Sequence, residues 1–147
     1  MMRKLVKIAS RFVLIGLLPI SAYADITVIN TTNVDATAYS PYYEQCSSSL
    51  GSRGIIKANK MMSIKQAYVD TFCSKQPCDA EIHMSNDCRG KTIGTIQIDA
   101  TKGGITAVNN LDVDGYRLRK IDKSTTIIEK NETINGLFGA LFNLKQE

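Results

Sequence analysis

Tryptophan is absent from this 147-residue chain, histidine occurs once, proline three times, and no apolar run reaches the length of a membrane span. Each shortage excludes something. With His83 the lone histidine, a Ser/His/Asp or Cys/His site has a single available base, and no Gly-x-Ser-x-Gly elbow accompanies it. Missing tryptophan and an aromatic content of 7% leave no obvious platform for stacking sugars. The longest apolar run, Phe12 to Ile20, is about half of what a bilayer-spanning helix needs.

Acidic residues are missing from the first 24 positions. Arg3, Lys4, Lys7 and Arg11 form a basic head there, the apolar run follows, and Ala22-Tyr23-Ala24 supplies a small–x–small cleavage pattern before Asp25. That order is the order of a secretory signal, so residues 1–24 are expected to be removed and the protein to work in the periplasm or outside the cell. Asp25 also closes the bacterial lipoprotein route, which needs a cysteine at the cut. Four of the 18 basic residues lie in the signal, and all 14 acidic residues lie beyond it, so residues 25–147 are electrically balanced. The formal charge of +4 therefore belongs to the export signal, and no nucleic-acid partner is expected. The nearest basic cluster, Arg117, Arg119 and Lys120, reads with Leu118 as the exposed face of a strand. The remaining length suits one domain, and no repeat or linker divides it.

Export decides how Cys46, Cys73, Cys78 and Cys88 are read. An even number of cysteines in an exported chain predicts two disulfides. Gaps of 27, 5 and 10 residues and a single histidine argue against zinc. Asp79 to Ser85 reads as a strand, which would carry the chain about 23 Å from Cys78. Three more residues recover only about 10 Å, so Cys78–Cys88 is disfavoured. Of the two other pairings, Cys73–Cys78 with Cys46–Cys88 is preferred, because Cys-Ser-Lys-Gln-Pro-Cys can close as a tight loop.

The predicted fold is mainly β: an antiparallel sandwich or barrel-like single domain with one short helix and a C-terminal amphipathic helix. Ile26 to Ile29 opens it, Asn30 to Asp35 turns, and Ala36 to Tyr39 is expected to pair back onto the first strand. Residues 40–54 read as a loop tied down by Cys46, with a short strand at Ile55-Ile56. Ser63 is expected to cap a helix whose shared face holds Ile64, Ala67, Tyr68 and Phe72, although alternation over 68–72 offers a strand instead. Strands follow at 79–85, 91–99, 105–108, 116–121 and 124–130, with turn signals between them.

Asn110, Asp112, Asp114 and Gly115 match the opening positions of a calcium loop, but the twelfth position is Ile121 and not a bidentate glutamate. A polar hairpin turn is the main reading; Asp112 and Asp114 are at most a weak cation site. No cofactor is expected. In the last segment Ile134, Leu137, Phe138, Leu141 and Phe142 fall on one helical stripe within 131–144, capped by Asn131 or Thr133 and weakened by Gly136 and Gly139. Such a stripe must meet the open face of a sheet, a second subunit, a membrane surface, or a secretion or chaperone partner.

The chain resembles small exported, disulfide-containing β-sandwich proteins of Gram-negative bacteria without an assigned function. Ile26 to Thr32 (Ile-Thr-Val-Ile-Asn-Thr-Thr), the Cys46 to Gly51 loop (Cys-Ser-Ser-Ser-Leu-Gly), and Cys78 to Cys88 (Cys-Asp-Ala-Glu-Ile-His-Met-Ser-Asn-Asp-Cys) carry the resemblance, which extends over residues 25–130. It implies a disulfide-linked sandwich and transfers no functional residue. The leading expectation is a non-enzymatic binding protein with a protein or small-molecule partner. The rivals are a secreted effector or toxin whose tail helix contacts a membrane or oligomerises, and a small hydrolase using His83 or clustered carboxylates.

Overall fold

The computed structural model describes residues 25–73 and 77–131. The expected signal at 1–24 and the expected C-terminal helix with its stripe lie outside the described residues. The strands are β1 (Ile26–Asn30), β2 (Ala36–Ser40), β3 (Gln45–Cys46), β4 (Ile55–Ile56), β5 (Lys60–Ile64), β6 (Cys78–His83), β7 (Thr92–Asp99), β8 (Gly104–Asn110), β9 (Tyr116–Lys120) and β10 (Thr125–Lys130), with one α-helix, α1 (Gln66–Cys73). Short 3-10 turns occupy Ser47–Gly54 and Ala100–Lys102.

Alternating side chains sort these strands into two sheets. A four-stranded sheet runs β5-β1-β10-β9, and a six-stranded one runs β3-β2-β6-β7-β8 with β4 also on β2. All pairings are antiparallel except β1 with β10, which is parallel. The inward sides of both sheets are rich in isoleucine: Ile26 and Ile128 from one meet Ile82, Ile93, Ile96 and Ile105 from the other, all essentially buried. Branched side chains suit this pleated interior, where stiff rotamers pack closely. Leu118 completes it between Arg117 and Arg119, which point to solvent.

One edge of the sandwich is sewn shut. The Asn110 side chain donates to the Leu118 carbonyl at 3.0 Å and accepts from the Leu118 N–H at 2.6 Å, so an amide stands in for a strand backbone between β8 and β9. Nearby, the Ile105 N–H donates to the Lys123 carbonyl at 2.7 Å. That approach requires Gly104, whose φ is +125° and where any side chain would collide with the Lys123 carbonyl.

Two expectations are corrected. β2 does not return onto β1, because both edges of β1 are taken by β5 and β10. The turn after Asn30 is a corner between sheets and not a hairpin, and β2 pairs with β6 in the other sheet. Ser63 does not cap the helix: it lies in β5, which runs on to pair Ile64 with Ile26. α1 begins at Gln66, whose N–H donates to the Asp25 carboxylate at 3.2 Å, so the cap comes from a distant part of the chain. The buried face of α1 is Val69 and Cys73 with half-buried Phe72, while Ala67 and Tyr68 face solvent. β5 itself was missed, since adjacent Met61 and Met62 blur the alternation that would mark a strand.

Thr126 carries a testable flaw. Its hydroxyl is fully buried opposite Val28 and has no hydrogen-bond partner among the described residues. Thr126→Val keeps the shape and removes the orphaned group, so urea unfolding should show a gain of about 1 kcal/mol. A loss of stability would mean that the hydroxyl has a partner.

Candidate functional site

Both disulfides are formed, Cys46 with Cys88 and Cys73 with Cys78, with Cα atoms 5.9 and 5.2 Å apart. β6 ends at His83, and the loop over 84–91 folds back across β2. Thr37 holds it there: its buried hydroxyl donates to the Ser85 carbonyl and accepts from the Cys88 N–H, both at 3.1 Å. That contact brings Cys88 over β2, whose Tyr39 pairs with Cys46.

His83 sits on the outer side of the six-stranded sheet, in register with Thr37 and close to Thr92. Its side chain is only 12% exposed. Nδ1 lies 3.0 Å from the Gly90 carbonyl, which can only accept, so Nδ1 is the donor. The Tyr39 ring stands edge-on, 6.0 Å away. The remaining nitrogen, Nε2, lies 3.6 Å from the Glu81 carboxylate. In a hydrolytic triad the carboxylate orients one nitrogen and the nucleophile meets the other. Here the Thr92 hydroxyl lies 3.3 and 3.4 Å from the two nitrogens and is shared between them, instead of meeting one nitrogen opposite the carboxylate. The arrangement pins the 84–91 loop to the sheet.

The polar turn over 110–115 is occupied in a similar way. Asn110 joins the two sheets, and Asp114 pairs with Lys91 at 2.9 Å. Asp112 and Asp114 both adopt left-handed backbone, with φ of +52° and +56°. Among the described residues no three His, Cys, Asp or Glu side chains converge as a metal site.

The structure does open a groove of about 660 Å³ beside the Cys73–Cys78 bridge. Pro41 and Tyr42 form one wall, Phe72 and Pro77 flank the disulfide, and Asp79, Asp99 and Lys102 supply charge. Tyr42 is 78% exposed and meets Tyr43 edge to face, with ring centroids 4.8 Å apart. These aromatics were hidden in what reads as a serine-rich loop. The available signal was the Pro41-Tyr42-Tyr43 string itself, where two large rings follow a proline outside any apolar strand pattern. Asp99 is held below the ordinary carboxylate range by the Thr101 hydroxyl, against the opposing effect of burial.

Other carboxylates are depressed for local reasons. Hydrogen bonds from Lys65 and the Gln66 N–H lower Asp25; Lys57 and the Ala58 N–H lower Asp35; the Ser124 N–H lowers Asp122. At Glu129 burial pushes upward, but Arg117 and Arg119 outweigh it. Each group is more acidic folded than unfolded. Its stabilisation is therefore present above about pH 4 and is lost as pH falls through the lowered values. Melting temperature should fall as pH drops below about 4; a flat profile from about pH 4 down to about pH 2 would contradict these ties.

Fold and disulfides together define a small disulfide-bonded β-sandwich domain. The chain belongs to the NttC family: the family model described as "T2SS substrate NttC" matches residues 1–131. It is similar to the crystal structure of the Legionella pneumophila type II secretion system substrate NttC, with a TM-score of 0.56 and 26% identity, over 75% of this chain and 100% of that one. No curated protein matches the sequence. The protein is thus exported, as its disulfides fit.

Proposed function

We propose that the protein works as a secreted, non-enzymatic binding module whose groove beside Cys73–Cys78 receives a peptide segment of a partner protein. The working form begins at Asp25 after loss of residues 1–24, and the Asp25 carboxylate then caps α1. The observation that carries the reading is the exposed Tyr42 at the rim of a groove with Phe72, Pro41 and Pro77. Proline and aromatic walls favour an extended chain with an apolar side chain. Asp79 offers a carboxylate for an adjacent basic residue, whereas Asp99 is engaged by Thr101 and Lys102. The environment of His83 supports a structural and not a catalytic role for it.

The test is selection from a displayed random-peptide library on the exported protein. Enriched sequences should pair an apolar with a basic residue, and their affinity should fall about tenfold or more in Tyr42→Ser and in Asp79→Asn. Thermal unfolding of both variants should stay unchanged. Peptides that bind the variants as well as the parent, or no enrichment, would reject the groove as the binding surface.

A further inference from the structure

The outer side of the four-stranded sheet has no cover among the described residues. Met61, Ile29, Ile127 and Arg119 lie side by side across β5, β1, β10 and β9. Ile121, just beyond β9, adds to the face beside Thr125, to which its N–H is bonded. Met61 is 74% and Ile121 48% exposed, with Ile29 and Ile127 half-buried. β10 leads directly from this face into residues 132–147.

We propose that this segment crosses the outer face of its own four-stranded sheet as a helix, seating Ile134, Leu137, Phe138, Leu141 and Phe142 on Met61, Ile29, Ile127 and Ile121. Three observations support this occupant. The chain leaves at the right place, because the Asn131 N–H donates to the Gly115 carbonyl at 2.8 Å, next to the row of Glu129 and Arg117. The lengths also agree. Four residues of strand from the Glu129 row to the Thr125 row span about 13 Å, and eight residues of helix from Ile134 to Phe142 span about 12 Å.

The other apolar destinations do not suit the stripe. Between the sheets the core is closed, with Ile26, Ile82, Ile93, Ile105 and Ile128 essentially buried. The groove is built on the other sheet, at the start of β6 and the end of β7, and not on the face that β10 leaves. The groove is then left for a partner, so the two surfaces are independent.

Methionine-methyl NMR on the whole exported chain tests the docking, since Met61, Met62 and Met84 are the only methionines after residue 24. The Met61 methyl should show cross-peaks to the Phe138 and Phe142 rings that vanish in Phe138→Leu and Phe142→Leu. In Ile127→Glu, amides over 137–142 should exchange at least about tenfold faster while β6 and β7 stay protected. Unchanged exchange in that variant, if folded, would overturn the proposal, as would a Met61 methyl without phenylalanine cross-peaks. So would cross-peaks seen only between differently labelled molecules, meaning that a second copy covers the face, or only after lipid vesicles are added.

Discussion

Replacing Cys46 and Cys88 together by serine is expected to lower the unfolding free energy by about 4 kcal/mol, against about 2 kcal/mol for the Cys73/Cys78 pair. The difference follows from loop length, with partners separated by 42 residues in the first bridge and by 5 in the second. A longer closed loop removes more freedom from the unfolded chain. The folded state adds to the contrast. Cys88 sits in left-handed backbone at φ +57°, held by Thr37 and by the bond to Cys46. Without the bond, the loop over 84–91 keeps its hydrogen bonds to Thr37, its contact with His83 and the Lys91–Asp114 pair, none of which ties Cys88 covalently to β3. Urea unfolding of the two double variants checks the ranking, and equal losses would show that chain entropy is not the main contribution.

Asn30→Ala should cost about 3 kcal/mol or more, an unusual loss for a residue outside the apolar core. The side chain is buried and fully satisfied. Its amide donates to the Val34 carbonyl at 2.8 Å and the Ile56 carbonyl at 3.2 Å, while its oxygen accepts from the Thr32 N–H at 3.0 Å and the Thr32 hydroxyl at 2.8 Å. Truncation leaves the buried Thr32 N–H unpaired and removes a donor from the Ile56 carbonyl, each costing roughly 1–3 kcal/mol, while the Thr32 hydroxyl and the Val34 carbonyl keep their bond to each other at 3.1 Å. Asn30→Asp is the sharper probe. It presents a carboxylate to two carbonyls, so it should be worse than alanine at pH 7. It should recover as pH falls below about 5, when protonation restores one donor. No recovery at low pH would mean that the corner does not depend on this amide.

The tight Cys73–Cys78 loop, which leaves Cys46 for Cys88, and the alternation in Ile93 to Ile98 were readable because each depends on residues close in sequence. Strands β6 to β10 emerged within two or three residues of their bounds for the same reason. Asn30 was readable as a turn residue, since its bonds to Thr32 and Val34 are local. Its hold on Ile56 was not, because that contact spans the corner between sheets. The cap on α1 stayed hidden because Asp25 is 41 residues from Gln66. The groove stayed hidden because Tyr42, Phe72 and Asp99 meet only after folding.

The sequence by itself determined that this is an exported, disulfide-bearing β protein, because an even cysteine count and the strand period can be read without knowing which distant residues meet. Tertiary structure alone decided that β1 pairs in parallel with β10, that His83 pins a loop, and that Tyr42 rims a groove. Those outcomes turn on which buried surfaces meet across long stretches of chain, and hydrophobic burial is proportional to area and blind to sequence order.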